Sequence, residues 1–176
     1  MLSWYNNMTE IEALIAPYRT RSRGPAYDPI ARVFDRILLG PGVHMTPRFM
    51  RIYSVTHIIN CADDIACPFW ARRHLGPRYT CMGAEDTEQT EIIRDFYPKF
   101  EETMDRYLRE PGCRNVYVHC HAGMNRSATL AIAYVHQRFG IPMMKLIENV
   151  ARQRPCILTN PSFQRQLLEF ASHPKT

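Results

Sequence analysis

The stretch VYVHCHAGMNRSATLAIAYV, residues 116–135, decides the fold, because it joins an apolar, β-branched run to a helical run across a short turn. The first run ends in Cys120, and the second begins at Arg126, six positions later. A strand that turns directly into a helix gathers several backbone N–H groups around one concavity, and the helix N-terminus adds about half a positive charge there. The stretch therefore predicts an anion-binding turn.

Three side chains of this turn suit chemistry on a phosphate. Cys120, held beside a helix N-terminus, is favoured as a thiolate and becomes a nucleophile. Arg126 supplies a planar fork for two oxygens of a tetrahedral group, and Ser127 can donate a hydrogen bond to the sulfur. We expect the substrate phosphate to be bound by His121, Ala122, Gly123, Met124, Asn125 and Arg126. The spacing thus predicts a nucleophile, an oxyanion clamp and a leaving-group stabiliser around one phosphate.

The composition is that of one globular domain. The chain has 176 residues, of which 45% are apolar and 22% are charged. No run reaches the roughly 18 to 20 apolar residues of a membrane span. The first residues, MLSWYNNMTEIEAL, lack the order of a secretory signal. We therefore expect a soluble protein of the cytoplasm.

Cysteines, histidines and net charge narrow the possible chemistry. The six cysteines form no CxxC pair, so we expect reduced thiols. Cys113, near the strand that leads to Cys120, could be a resolving thiol under oxidation or an inert one. The cysteines and histidines show no spacing of the zinc-ligand type, so we expect no metal and no cofactor. The net charge of +5 suits an anionic partner without choosing between phosphoprotein, nucleic acid and lipid headgroup.

The N-terminal residues predict a short helix on a linker. Thr9 and Glu12 have the spacing of a capping box at the start of a helix over residues 9–19. The following segment is polar and interrupted by glycine and proline, which is typical of a surface linker. We expect residues 1–27 to form this helix and linker, and residues 28–176 to form the domain that contains the anion-binding turn.

Strand and helix patterns alternate along that domain. The predicted strands are RVFDRILLG, SVTHIINCA, TCMG and NVYVHC. The predicted helices are one capped by Asp95 with Pro98 in its first turn, one that ends at Gly140, one from Pro142 to about Gln153, and one capped by Asn160. This alternation predicts a single α/β domain with a mainly parallel central sheet and helices on both faces.

The quoted stretch also resembles a known family. Five residues match HCxxGxxRS, the signature of the cysteine-dependent protein tyrosine phosphatase superfamily: His119, Cys120, Gly123, Arg126 and Ser127. The helix text SATLAIAY is similar to the dual-specificity branch, and the similarity extends over residues 30–172. The pairing of GMNRS with NPSFQRQ looks closest to the poxvirus type.

This resemblance implies a dual-specificity phosphatase fold and hydrolysis of phosphotyrosine, phosphoserine and phosphothreonine through a cysteinyl-phosphate intermediate. It implies that residues 28–176 are the catalytic domain and that the partners are phosphorylated proteins, with no membrane partner and no preference for nucleic acid. Because poxvirus-type relatives dimerise through an N-terminal helix, it also implies a possible homodimer. That helix could equally pack on its own core or bind another protein.

The resemblance further implies a general acid on a loop before the cysteine. Asp86, followed by a threonine in MGAEDTEQTE, fits that position. General acid help is typically worth about 10²- to 10⁴-fold. Asp63, Asp64 and Glu85 are the rival carboxylates.

Four other side chains have both a structural and a functional reading. We expect His119 to be structural, because it points to the opposite face of the strand from Cys120 and can fix the loop by hydrogen bonds. The resemblance implies that Asn160 braces the phosphate loop, and a simple helix cap is the equal alternative. Arg152 and Arg154 could form a second anion patch, but we favour a solvated helix end.

Three alternative functions stay open. One is a phosphoinositide phosphatase, although such enzymes often carry lysines inside the loop and HAGMN has none. An RNA 5′-triphosphatase uses the same type of loop, although that subgroup usually has histidine and threonine where this chain has Ala122 and Ser127. A phosphate-binding pseudophosphatase would capture phosphoproteins without cleaving them. The sequence argues against it, because nucleophile, clamp, serine and acid candidate are all present.

Overall fold

A five-stranded sheet lies at the centre of the computed structural model, which describes residues 9–173. Residues 1–8 of the predicted N-terminal segment and residues 174–176 lie outside the described part. The strands are ordered β1-β2-β5-β3-β4, and only β1 is antiparallel to its neighbour, so the predicted mainly parallel sheet is confirmed. Their bounds are β1 Ala31–Phe34, β2 Ile37–Pro41, β3 Val55–Asn60, β4 Tyr79–Cys81 and β5 Asn115–Cys120.

Helices cover both faces of the sheet. They are α1 Glu10–Arg19, α2 Pro47–Ile52, α3 Phe69–Leu75, α4 Ile92–Arg109, α5 Arg126–Phe139, α6 Met143–Gln153 and α7 Pro161–Ser172. The larger of two apolar clusters joins β5 to α1, α4, α5, α6 and α7, and the smaller joins it to α2 and α3. The helices therefore lie in two unequal layers, with the central strand buried between them.

The central strand β5 is apolar on both faces because both are covered. Val116 and Val118 belong to the larger cluster, while Tyr117 belongs to the smaller one. β5 pairs in parallel with β2 on one side and β3 on the other. This pairing places Cys120 at the carboxyl edge of the sheet, where open α/β sheets usually bind ligands.

The first predicted strand is wrong as a single element, because RVFDRILLG forms a hairpin. Phe34 pairs with Ile37, so Asp35 and Arg36 make a two-residue turn between β1 and β2. Arg36, the second of the two turn residues, has a φ of 59°, in the left-handed region. The two polar residues at positions 35 and 36 were the sequence signal for this reversal.

The predicted start of α4 is also wrong. The helix begins at Ile92, so Asp95 lies within its first turn, and Pro98 stands in its interior. The side chain of Ile92 is fully buried, and this burial extends the helix upstream of the polar residue that could have capped it. Asp95 instead pairs with Arg94 at 2.7 Å.

Helix α1 packs on α6 and α7 of the same chain. Thr9 caps it by accepting a hydrogen bond from the Glu12 N–H, as the sequence predicts. Ile11 and Ile15 are fully buried against the core, and the Tyr18 hydroxyl donates to Glu148 at 2.8 Å. Between residues 9 and 173, no helix combines the length and hydropathy needed to cross a membrane.

Candidate active site

The loop between β5 and α5 surrounds the sulfur of Cys120. Gly123 donates its N–H to this sulfur at 3.2 Å and has a φ of 62°. A Cβ at Gly123 would lie 2.2 Å from the carbonyl carbon of Gly40, so the loop approaches β2 as closely as glycine alone allows. The Ser127 hydroxyl lies 3.2 Å from the same sulfur, at the start of α5.

The carbonyl groups of this loop are all turned outward. Each C=O from His121 to Asn125 accepts a hydrogen bond from a donor that lies outside residues 121–125. Because each peptide plane has its C=O and N–H on opposite sides, outward carbonyls leave the N–H groups facing the concavity. The donors, in loop order, are Gly42 N–H, Arg154 Nη2, Arg154 Nε, Leu158 N–H and Thr129 N–H.

Arg126 is fixed at one end of its guanidinium and free at the other. Its Nη1 donates to the carbonyl of Ala84 at 3.1 Å. Its Nε is buried and has no hydrogen-bond partner among the described residues. A buried N–H without a partner is costly, so this donor indicates a site for an anion at the loop.

The carboxylate of Asp86 is held at the rim of the loop by two amides. Asn125 Nδ2 donates to one oxygen at 3.1 Å, and Asn160 Nδ2 donates to the other at 3.0 Å. Asn125 belongs to the loop itself, whereas Asn160 also caps α7 by accepting from Ser162 and Phe163. The structure therefore brings Asp86 and the loop together, and Asn160 both caps a helix and bonds the acid candidate.

The rival carboxylates have other contacts. Asp63 lies 3.1 Å from His121 Nε2, and this hydrogen bond lowers the pKa of Asp63. Asp64 accepts from the Tyr79 hydroxyl at 2.8 Å and lies 3.7 Å from Arg72. Glu85 is exposed and makes no hydrogen bond with any described residue. Of the four candidates, Asp86 is the one that two amides orient at the loop.

The two histidines beside Cys120 have opposite environments. His119 is fully buried, its Nδ1 lies 3.1 Å from the Cys120 carbonyl oxygen, and its ring stacks on Tyr117. Burial lowers the pKa of His119 from 6.5 to about 4, so the ring is neutral at pH 7. His121 is exposed at the mouth of the loop, where it contacts Asp63.

One sequence expectation about an accessory residue is corrected. Arg154 is not at a solvated helix end, because it is fully buried and donates to the loop; the apolar residues that follow Pro155 were the available signal. Cys113 precedes the strand whose other end carries Cys120, so the two thiols lie at opposite ends of β5. Cys61 is the buried thiol close to Cys120, and its pKa is raised mainly by burial and also by Cys120.

A cavity of about 410 Å³ lies beside the loop. Its walls are mainly apolar, and His121 reaches it from the loop. No group of three or more His, Cys, Asp or Glu side chains within residues 9–173 could hold a metal ion. The remaining cavity residues are Gly42, Val43, Ile65, Ala66 and Pro68.

Comparison with known proteins finds relatives among the dual specificity phosphatases. Residues 37–173 match the model of the dual specificity phosphatase catalytic domain. Dual specificity protein phosphatase 4 of Gallus gallus is 32% identical over 77% of this chain and 35% of its own length. Dual specificity protein phosphatase 22 of Homo sapiens is 35% identical over 68% of this chain and 61% of its own length. The chain thus spans less than two thirds of either relative.

A solved structure shows the same fold. It is that of the human tyrosine phosphatase-like serine/threonine/tyrosine-interacting protein, with a TM-score of 0.68 and 29% sequence identity. The match covers 81% of this chain and 95% of that one. The similarity therefore extends over most of this chain.

Proposed function

The chain belongs to the dual-specificity phosphatase catalytic-domain family, and from this premise we propose that it hydrolyses phosphotyrosine, phosphoserine and phosphothreonine in proteins. One observation carries the proposal. The sulfur of Cys120 receives the Gly123 N–H, and the Asp86 carboxylate is bonded to Asn125 of the same loop. A nucleophile and an acid thereby stand at one anion-binding concavity, which is what phosphoester cleavage requires.

The first chemical step transfers the phosphoryl group to sulfur. The Cys120 thiolate attacks phosphorus while the bond to the leaving oxygen breaks, and Asp86 gives its proton to that oxygen. The inward N–H groups and Arg126 bind the three equatorial oxygens, whose charge grows in the transition state. The product of this step is a cysteinyl phosphate together with the free hydroxyl of the protein substrate.

The second step returns the enzyme to its starting state. Asp86, now a carboxylate, accepts a proton from a water molecule that attacks the cysteinyl phosphate. The phosphorus–sulfur bond breaks, and the Ser127 hydroxyl, 3.2 Å from the sulfur, stabilises the departing thiolate. Inorganic phosphate leaves, and no metal ion or cofactor takes part in either step.

Phosphate release from matched phosphopeptides tests this proposal. We expect release from peptides that differ only in carrying phosphotyrosine, phosphoserine or phosphothreonine, and no release from any of them with Cys120→Ser. Cys113→Ser, at the other end of β5, is the matched control and should keep wild-type rates. Release from the phosphotyrosine peptide alone would contradict dual specificity, and release from none would contradict the enzyme proposal.

A binding protein is the second candidate, because one similar solved protein is described as phosphatase-like and interacting. The same peptides separate the candidates. A binding protein would retain each phosphopeptide in isothermal titration calorimetry and release no phosphate from it. Cys120, Arg126, Ser127 and Asp86 all stand in this chain, which supports turnover. The RNA 5′-triphosphatase alternative would require faster γ-phosphate release from triphosphate-ended RNA than from phosphopeptides.

Finer properties also remain proposals. The GMNRS and NPSFQRQ motifs support membership of the poxvirus type within the family. Six free thiols, one of them the nucleophile, support a reducing, cytoplasmic setting. Residues 28–176 as the catalytic domain stays a prediction, which truncation at residue 28 with the phosphopeptide assay would test.

We propose the homodimer as an exchange of α1 between two chains. Ile11 and Ile15 already occupy a site on α6 and α7, and the same site on a second chain would accept them equally well. Sedimentation of the full chain and of an Ile15→Glu variant tests this. A dimer that Ile15→Glu converts to monomer supports exchange, and a monomer at every concentration contradicts it.

A further inference from the structure

The guanidinium of Arg154 is fully buried and uses all of its donors on backbone carbonyls. A guanidinium has five N–H donors. In this structure they make five hydrogen bonds of 2.7 to 3.0 Å, and no carboxylate accepts any of them. A buried charge is tolerated only when its hydrogen bonds are complete, so this arrangement is specific to arginine.

The five acceptors belong to two separate segments. Nε donates to Gly123 O at 2.8 Å and Nη2 donates to Ala122 O at 2.7 Å, both within the loop that surrounds Cys120. The other three bonds go to the linker between α1 and β1. Those acceptors are the carbonyls of Pro25, Asp28 and Pro29.

Because Arg154 binds the carbonyls of Ala122 and Gly123, it sets the rotation of two peptide planes. Rotating either plane would turn its N–H away from the concavity and leave a buried donor of Arg154 without an acceptor. The Gly123 carbonyl shares a peptide plane with the Met124 N–H. The Ala122 carbonyl shares a peptide plane with the Gly123 N–H, which donates to the Cys120 sulfur. Arg154 thus acts behind the surface that meets the phosphate.

The linker is itself ordered at the contact with Arg154. The Asp28 carboxylate accepts from Ser22 Oγ and from the Arg23 N–H, both at 2.7 Å. These hydrogen bonds and the nearby charge of Arg154 lower the pKa of Asp28 against the opposing effect of burial, so the carboxylate is ionised at neutral pH. Its charge lies near the buried guanidinium and partly offsets it.

We propose that Arg154 is a positioning residue for the phosphate loop, and that the linker 25–29 belongs to the active site through it. The inference rests on the proposed phosphatase function. Arg154 touches neither phosphate nor sulfur; it holds the peptide planes in the orientation that the transition state needs. A misplacement of about 1 Å can cost about 10²-fold in rate.

Substitution of Arg154 with a matched neighbour as control tests the proposal in the full chain. Arg154→Lys keeps the charge but has one nitrogen, which cannot reach five acceptors in two segments. We expect kcat for para-nitrophenyl phosphate to fall about 10²-fold and orthovanadate inhibition to weaken about 10-fold. Arg152→Lys, two residues earlier on the exposed side of α6, should change neither.

Chemical rescue separates positioning from a general loss of folding. Arg154→Ala leaves a cavity of guanidinium size beside the loop, and added guanidinium at millimolar concentration should restore part of kcat and of orthovanadate binding. Added ammonium should not, because it lacks the planar fork. Thermal unfolding followed by circular dichroism shows which variants are folded. A folded Arg154→Lys with wild-type kcat and orthovanadate affinity would overturn the proposal.

The linker variant Asp28→Ala tests whether the linker acts on the loop through Arg154. It remains a test of the proposal if every Arg154 variant is unfolded. It removes the two bonds that order the linker, so orthovanadate inhibition should weaken about 3- to 10-fold. Unchanged inhibition would show that the linker does not act on the loop. If the wild-type chain binds orthovanadate but cleaves no phosphoester, the proposed function fails. The orthovanadate affinities of the Arg154 variants would still test the positioning role of Arg154.

Discussion

The phosphate loop and the acid candidate occupy one site but are built in different ways. The loop is contiguous, since residues 120–126 contain the proposed nucleophile, the proposed clamp and the inward N–H groups. Asp86 is instead oriented by Asn125 and Asn160, which come from two other parts of the chain. A contiguous site can be recognised from its spacing, whereas an assembled one depends on the fold that brings its parts together.

The difference also concerns how each side is stabilised. The loop is fixed by backbone hydrogen bonds from the residue after β2, from α5 and from the α6–α7 connection, together with the buried Arg154. The acid side depends on two side-chain amides, each of which donates to a different oxygen of Asp86. We therefore expect changes in the loop to affect every substrate. Changes on the acid side should depend on how much help the leaving group needs.

Arg126→Lys should cause the largest loss. An ammonium cannot bind two phosphoryl oxygens in one plane, and the charge that develops on them loses its partner. We expect kcat to fall about 10³-fold or more, equally for para-nitrophenyl phosphate and for phosphothreonine peptides. Arg152→Lys is the matched control. A loss confined to the peptide would contradict the role assigned to the loop.

How much the sequence reveals follows the same division. The pattern from His119 to Ser127 predicts the nucleophile and clamp, because local spacing decides which side chains surround a strand-to-helix turn. The hydrogen bonds that Asn125 and Asn160 donate to Asp86 could not be predicted, since they depend on how separate loops pack. Arg154 was misjudged for the same reason. Its charge suggested solvent, but its five acceptors come from segments distant in sequence.

Asp86→Asn sharpens the comparison. The amide keeps the shape and loses the proton, so we expect kcat on a phosphothreonine peptide to fall about 10²-fold. Para-nitrophenyl phosphate should lose less, because its leaving group is a weak base that needs little protonation. Asp64→Asn, which alters the rival carboxylate bound to Tyr79, is the control and should keep both rates. Equal rates in Asp86→Asn and wild type would move the acid elsewhere.

Asn160→Asp tests the assembled side alone. Aspartate still accepts the Ser162 and Phe163 N–H groups and so preserves the cap of α7, but it places a carboxylate where an amide donated to Asp86. We expect kcat on the phosphothreonine peptide to fall about 10-fold, with a smaller loss on para-nitrophenyl phosphate. Asn149→Asp, at an exposed position of α6, should leave the ratio of the two rates unchanged. An equal loss on both substrates would mean that Asn160 supports the loop and not the acid.

The smallest effect concerns stability and comes from the loop side. His119 has its pKa lowered from 6.5 to about 4 by burial, so between these values the unfolded chain binds a proton that the folded chain does not. The stabilising contribution is complete above pH 6.5 and declines as the pH falls toward 4. From pH 7.5 to 5.5, the free energy of unfolding should decrease by about 1 kcal/mol through this group.

Urea unfolding of the full chain at these two pH values measures the decrease. His119→Gln, which cannot be protonated, should be less stable overall yet lose the His119 part of the pH dependence, while His74→Gln, at an exposed position of α3, should keep it. The carboxylates with lowered pKa do not interfere, because Asp28, Asp63 and Asp95 affect stability only as the pH falls below their ordinary value of 3.8. An unchanged pH dependence in His119→Gln would mean that this imidazole reaches solvent, and the loop would then be less rigid than its backbone contacts indicate.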